Sequence, residues 1–331
     1  MNCNDIIPLV LLFFVFSHTH LPVYCRTYLT KTLGLSGLCE FLSWKLISFF
    51  HSLVDATVVT SPQILAEFSN HRIPKCFLWE KGVDTERFHP RFKDPKMRER
   101  MTNGNPDDFL VLYVGRIGKE KRLHELKAIL ERMRNTRLCI VGHGPYENRL
   151  KKYFHDNNRT AFTGLLSGDE LSQAFASADA FCMPSDSETL GFVVLESMAS
   201  EVPVVGCNAG GIPHTIHPVE NTGSFLVEAG DIDGYVEKLA LLQKEPALRK
   251  QMGKRAREEM LKWSWEDSMA ELRREIYRVA KENKRNRWEN RLWRLVTLKE
   301  LRQPSPDKRL RNRAIETLSR IREQKWSNSN P

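Results

Sequence analysis

The stretch Ala180–Ser200, AFCMPSDSETLGFVVLESMAS, decides the reading of the fold. Ala180–Met183 is a short apolar run that ends at Pro184, which has no N–H to donate and so favours the end of a buried strand. After a polar turn, Leu190, Val193, Val194, Ser197 and Met198 fall at i, i+3, i+4, i+7 and i+8, the spacing of one helix face. Strand, turn and helix at this length form half of a βαβ unit. The same pattern repeats outward, with strands predicted at Thr57–Thr60, Phe109–Val114, Arg137–Val141, Ala161–Thr163, Pro203–Gly206 and Ser224–Val227 and helical patterns between them. Such alternation predicts α/β architecture with parallel sheets covered on both faces.

The polar, proline-containing segment His89–Asp108 reads as a linker between two such sheets. The expected organisation is therefore a short first domain over residues 1–88, a linker over 89–108, a second domain over 109–265 and a basic, mainly helical extension over 266–331. The apolar run Ile6–Phe16 is too short to span a bilayer, and no Lys or Arg precedes it, so it is expected to be a buried parallel strand. No transit-like segment rich in Arg and Ser is visible. Thr30–Ser52 is expected to be helical.

Charge and cysteine usage exclude several function classes. The chain has 331 residues, a net charge of +9 and seven cysteines without a C-x-x-C pair, which argues against a disulfide framework or a zinc site. Lys281–Pro331 holds 15 basic and 6 acidic residues, so the tail carries the whole net charge and the body is neutral. Attraction to an anionic surface therefore belongs to the tail. Its Trp288 and Trp293 interleave with arginines, which suits a membrane surface better than nucleic acid.

Ligands of open parallel sheets bind at the carboxyl ends of strands, where helix N-termini offer N–H groups to phosphates. Four sequence features fall at such ends. Gly115 opens a turn in which Arg116 and Lys121 could clamp a diphosphate, the first through its planar fork and the second as a point charge. Glu188 and Glu196 form an E-x7-E pair suited to sugar and ribose hydroxyls, with N–H groups of Thr189, Leu190 and Gly191 between them. The turns Gly142-His143-Gly144-Pro145 and Gly210-Gly211-Ile212-Pro213 would let backbone approach a ligand closely. Each feature alone has a plain structural explanation, and it is their joint order that points to a nucleotide site. Asp231-Ile232-Asp233 has the form of a metal motif but opens a predicted helix, where Asp is a common cap, so no metal is expected.

Taken together, Phe109 to about Trp265 resembles the donor-binding domain of glycosyltransferase family 4, which has the two-domain GT-B fold. The segments SHTHLPVY (17–24), LWEKGVDTERFHPRF (78–92), VGRIGKEKRL (114–123) and SDSETLGFVVLESM (185–198) are similar to the sulfoquinovosyltransferases of plastids and cyanobacteria. The resemblance implies an incomplete N-terminal, acceptor-side domain and a complete C-terminal donor-binding domain. It implies a retaining enzyme that moves sulfoquinovose from UDP-sulfoquinovose to diacylglycerol, or another UDP-sugar to another lipid, with no cofactor beyond the donor. The alternatives are a family member using mannose or glucose, or a nucleotide-sugar-binding remnant that does not transfer. His18, Arg116, Lys121 and Glu188 would act in catalysis. Gly115, Arg116, Lys121, Gly142, Gly144, Leu165, Glu188, Thr189, Leu190, Gly191 and Glu196 would bind the donor, with 164–168 lining the base. A peripheral position on the plastid envelope follows from the same resemblance. Glu201 departs from the family, standing where a glycine is usual at a helix end.

Overall fold

The computed structural model describes residues 14–17, 36–79, 82–216 and 223–285. Two parallel sheets organise the chain. The first has the order β1-β2-β3, from Phe14–Ser17 (β1), Ala56–Val59 (β2) and Cys76–Leu78 (β3). Of the predicted strand Ile6–Phe16, only its last three residues are described, and they lie in β1. Helix α1 (Ser36–Leu53) connects β1 to β2, and α2 (Pro62–Asn70) connects β2 to β3. Ser61 starts α2 by accepting the Ile64 amide, and Pro62 occupies the first turn, where its missing N–H has no consequence.

The second sheet has six strands: Phe109–Val114 (β4), Thr136–Val141 (β5), Thr160–Gly164 (β6), Ala180–Met183 (β7), Val204–Cys207 (β8) and Ser224–Val227 (β9). Their order is β6-β5-β4-β7-β8-β9, all parallel. The chain winds outward from β4 through β5 to β6, then returns to β7 on the other side of β4. That reversal opens a crevice between the carboxyl ends of β4 and β7. β4, β5, β7 and β8 are buried on both faces, and this explains why they read as continuous apolar runs without alternation.

Two segments differ from the sequence reading. The 89–108 stretch, expected as a linker, contains the short helix α3 (Pro95–Met101). Asp94 caps it through the Met97 amide at 2.6 Å, and Met97 and Met101, one turn apart, are buried in the core of the second sheet. Arg98 fixes the helix by an ion pair with Asp179 at 2.6 Å. A window scored as polar hid two core methionines.

The C-terminal helical segment also begins differently. Residues 265–280 belong to the same compact unit as both sheets, and the second unit starts at Lys281. Helix α11 (Trp265–Glu271) and the π turn Leu272–Ile276 return to the first sheet, where Ile276 and Ala280 pack with Ala56, Val58 and Trp79. Trp79 Nε1 donates to the Ser268 carbonyl at 3.2 Å. Of the second unit, 281–285 is described and is helical. The predicted tail residues Trp288 and Trp293 lie outside the described residues.

Candidate functional site

The β4 turn is built from below. Tyr113, fully buried, donates its hydroxyl to the Arg116 carbonyl at 3.1 Å and so fixes the turn that starts at Gly115. Arg116 is directed by Glu120, whose carboxylate is buried and accepts from Nη1 at 2.8 Å. Lys119–Lys121 forms a single 3₁₀ turn, and helix α4 (Glu125–Glu131) begins only afterwards. The two cations therefore precede the helix mouth where the spacing had placed them.

The β7 turn meets it directly. Lys121 Nζ lies 2.6 Å from Glu188 Oε1, with both side chains mostly covered. Two residues predicted from separate motifs, 67 positions apart, thus form one contact. Arg122 makes a second bridge, donating to Asp186 at 3.0 Å and to Glu125 at 2.8 Å, and these bonds hold its guanidinium firmly protonated. Its backbone adopts the left-handed conformation with φ of 55°. Sequence reasoning passed over Arg122 and Asp186. The only signal was one more cation beside Lys121 and one more acid beside Glu188.

Glu196 sits on the second turn of helix α7 (Phe192–Ala199), which no side chain caps. It is half-buried, and among the described residues no hydrogen bond or ion pair reaches its carboxylate. Burial pushes the carboxyl up to about 7, with the charge of Arg87 pulling it down. A desolvated acceptor of this kind is suited to polar hydrogens that arrive with a ligand.

The glycine turns meet the backbone of neighbouring loops. Gly142 has φ of +133°, and a Cβ there would lie 2.0 Å from the Gly115 carbonyl oxygen. At Gly210 a Cβ would lie 2.5 Å from the Glu188 carbonyl oxygen. These glycines, and Gly144 and Gly211 beside them, let the site's own loops pack backbone to backbone. The Gly211 amide also donates to the Glu188 carbonyl at 2.6 Å, which seats that turn.

The remaining predicted residues are placed as follows. The Gly142 amide donates to the Gly164 carbonyl at 2.8 Å, bringing 164–168 beside the β5 turn, and Leu165 there is 77% exposed. Thr189 accepts from Thr60 of the first sheet at 3.4 Å, Leu190 is buried, and Gly191 precedes α7 with φ of 73°. His18 lies outside the described residues. Asp231 caps the helix Ile232–Lys244, and Asp233 pairs with Arg132. Glu201 does take the left-handed conformation, with φ of 61°.

A cleft of about 560 Å³ runs between the two sheets. One wall carries Glu188, Thr189 and Gly211, and the other Glu40, Trp44 and Gln63. Arg116, Lys121 and Glu196 do not line it. The site thus has a half facing the first sheet and a half formed by the β4 turn and α7.

Comparison with known proteins accords with this arrangement. Residues 96–259 match the family described as Glycosyl transferases group 1. The chain is 44% identical over 268 residues to Sulfoquinovosyl transferase SQD2 of Arabidopsis thaliana, covering 80% of this chain and 51% of that protein. It is 33% identical to a GDP-mannose-dependent alpha-mannosyltransferase of Mycolicibacterium smegmatis, covering 69% and 58%. The structure of Anabaena HepE in complex with UDP and glucose superposes with a TM-score of 0.62 at 16% identity, over 83% of this chain and 71% of that one. The chain spans about half the length of the curated relatives it matches. With its two parallel sheets and a cleft between them, the chain belongs to the group 1 glycosyl transferases of the GT-B fold.

Proposed function

We propose that this chain holds a UDP-sugar at the crevice between β4 and β7 and acts as a retaining glycosyltransferase, moving sulfoquinovose to diacylglycerol. The observation that carries this reading is the Lys121–Glu188 contact, which joins the cation and acid that would meet the diphosphate and the sugar. The match to a sulfoquinovosyl transferase supports the sugar assignment over the mannose alternative, which rests on lower identity.

In this reading the donor's ribose hydroxyls donate to Glu196, and its diphosphate lies against Arg116 and Lys121. The bond from the anomeric carbon to the UDP oxygen breaks, and one to the acceptor hydroxyl forms. The proton of that hydroxyl leaves with the UDP phosphate. Two positioned cations would stabilise the negative charge that gathers on UDP, in a cleft that orients the acceptor. Lys121 would exchange Glu188 for phosphate as donor enters, freeing the carboxylate for a sugar hydroxyl. His18 would reach the sugar from the first domain, and a plastid-envelope location is carried over from the same resemblance.

The test is a transfer assay with UDP-sulfoquinovose and diacylglycerol in mixed micelles, with GDP-mannose as the competing donor. Labelled sulfolipid from the first donor supports the proposal. Mannolipid from the second, with no sulfolipid, would replace it with the mannosyltransferase reading.

A further inference from the structure

Helix α10 (Pro246–Met260) lies against α7. Gly253 brings the two backbones together: a Cβ there would stand 2.1 Å from the Glu201 carbonyl oxygen, just past the end of α7. One turn further along α10, Arg257 is 9% exposed, and among the described residues no carboxylate forms an ion pair with it. Its hydrogen bonds go to carbonyls. Nη1 donates to Phe88 at 3.1 Å, to Thr85 at 3.4 Å and to Ala199, and Nη2 also donates to Thr85 at 3.4 Å. Ala199 is the last residue of α7, where carbonyls have no partner within the helix, and Glu196 sits three residues before it. Thr85 and Phe88 bracket Arg87, whose charge acts on the Glu196 carboxylate.

We propose that Arg257 is a positioning residue of the donor site: by joining the carbonyl end of α7 to the turn at 84–88, it sets where the Glu196 carboxylate stands. Burying a guanidinium without a carboxylate partner costs stability, and a methionine would fill much of the same space without that cost. What an apolar side chain cannot do is fix three carbonyls from two separate segments with one rigid planar fork. Both segments bear on Glu196. Helix α7 carries the carboxylate, and the turn carries Arg87, with Asp84 Oδ1 accepting the Glu86 and Arg87 amides at 3.1 and 2.9 Å to keep that turn closed. The guanidinium also faces the negative end of α7, where a cation is favoured. Arg257 does not itself line the cleft, and none of its hydrogen bonds reaches the β4 turn that carries Arg116 and Lys121. Its influence on a bound donor therefore passes through Glu196.

The inference rests on the reading of Glu196 as the group that meets the ribose, and its test separates the two. UDP is titrated calorimetrically into wild type, Arg257→Met, Glu196→Gln and the double variant. Arg257→Met is expected to weaken UDP about fivefold alone and less than about twofold in the Glu196→Gln background, because a carboxylate already removed cannot be misplaced. In a Lys121→Met background the loss should remain about fivefold, as for independent sites. A general loosening of the protein would weaken UDP by the same factor in all three backgrounds, and that result overturns the inference. So does full UDP affinity in Arg257→Met while Glu196→Gln binds more weakly, which leaves the ribose reading standing. If Glu196→Gln binds UDP as the wild type does, the ribose reading falls and takes this inference with it. Should Arg257→Met lack a cooperative melt, Arg257→Lys, which keeps the charge and loses the fork, replaces it in the same cycle, with about threefold expected in place of fivefold.

Discussion

Replacing Glu196 with Gln should stabilise the empty protein and weaken its hold on UDP. The carboxyl ordinarily titrates at 4.5 and is pushed up to about 7 by burial. At ~1.4 kcal/mol per pH unit, keeping it ionised in the folded state costs ~3 kcal/mol. The folded-state value is the raised one, so the stability attached to the neutral form is complete below 4.5 and is lost as pH rises to 7. The Gln variant does not titrate. Its stability relative to wild type should therefore improve by about 2–3 kcal/mol between pH 5 and pH 8, read as the change in urea midpoint followed by tryptophan fluorescence. In the same variant UDP affinity at pH 8 should fall roughly 10–100-fold, from loss of charged hydrogen bonds worth ~1.5–3 kcal/mol. A stability gap that is the same at both pH values refutes the burial argument. Unchanged UDP affinity in the folded variant would place Glu196 outside the donor site.

Lys121→Met should weaken UDP binding on the order of tenfold or more in calorimetric titration, since it removes a cation proposed to meet the diphosphate and leaves Glu188 without its partner. Gly142→Ala should lower stability by about 1–3 kcal/mol, because the new Cβ meets the Gly115 carbonyl and φ of +133° is strained for alanine; an unchanged denaturation midpoint would show that the two turns can separate freely. Glu201→Gly should raise stability by about 1 kcal/mol, relieving a left-handed residue and removing an acid from a helix end, and UDP titration should be unaffected. Deleting Lys281–Pro331 should reduce sedimentation with anionic vesicles at low salt while UDP still raises the melting temperature; full sedimentation of the shortened chain would remove the tail from membrane binding.

The second sheet was legible because its central strands are buried on both faces and its strands are bounded by turn residues. Phe109–Val114, Ala180–Met183 and Ser224–Val227 occur where their apolar runs place them. Cys76–Leu78 escaped notice because three residues beside Pro74 carry no periodicity. Helix α3 escaped because two methionines in a charged window look like solvent-facing residues until Asp94 and Asp179 fix the helix in place. In the candidate site, residue types singled out Lys121 and Glu188 but not their contact. That Lys121 would face Glu188 is a property of the chain reversal between β4 and β7, which brings together positions 67 residues apart. Glycine was legible as a requirement for close approach, yet only the fold shows that the approaching group at Gly142 is Gly115. Leu38, Phe41, Leu42, Leu46 and Phe49 of α1 have helical periodicity, which alone assigns such a face to the core, whereas each is at least half exposed.

The central claim is that the crevice between the β4 and β7 turns is where a UDP-sugar sits. A crystal structure of the protein with UDP tests it most directly. The account predicts ribose hydroxyls on the Glu196 carboxylate, diphosphate oxygens on Arg116 and Lys121, and the 2.6 Å Lys121–Glu188 contact opened. UDP bound elsewhere, or bound in this crevice with that contact intact and Glu196 unengaged, would contradict it.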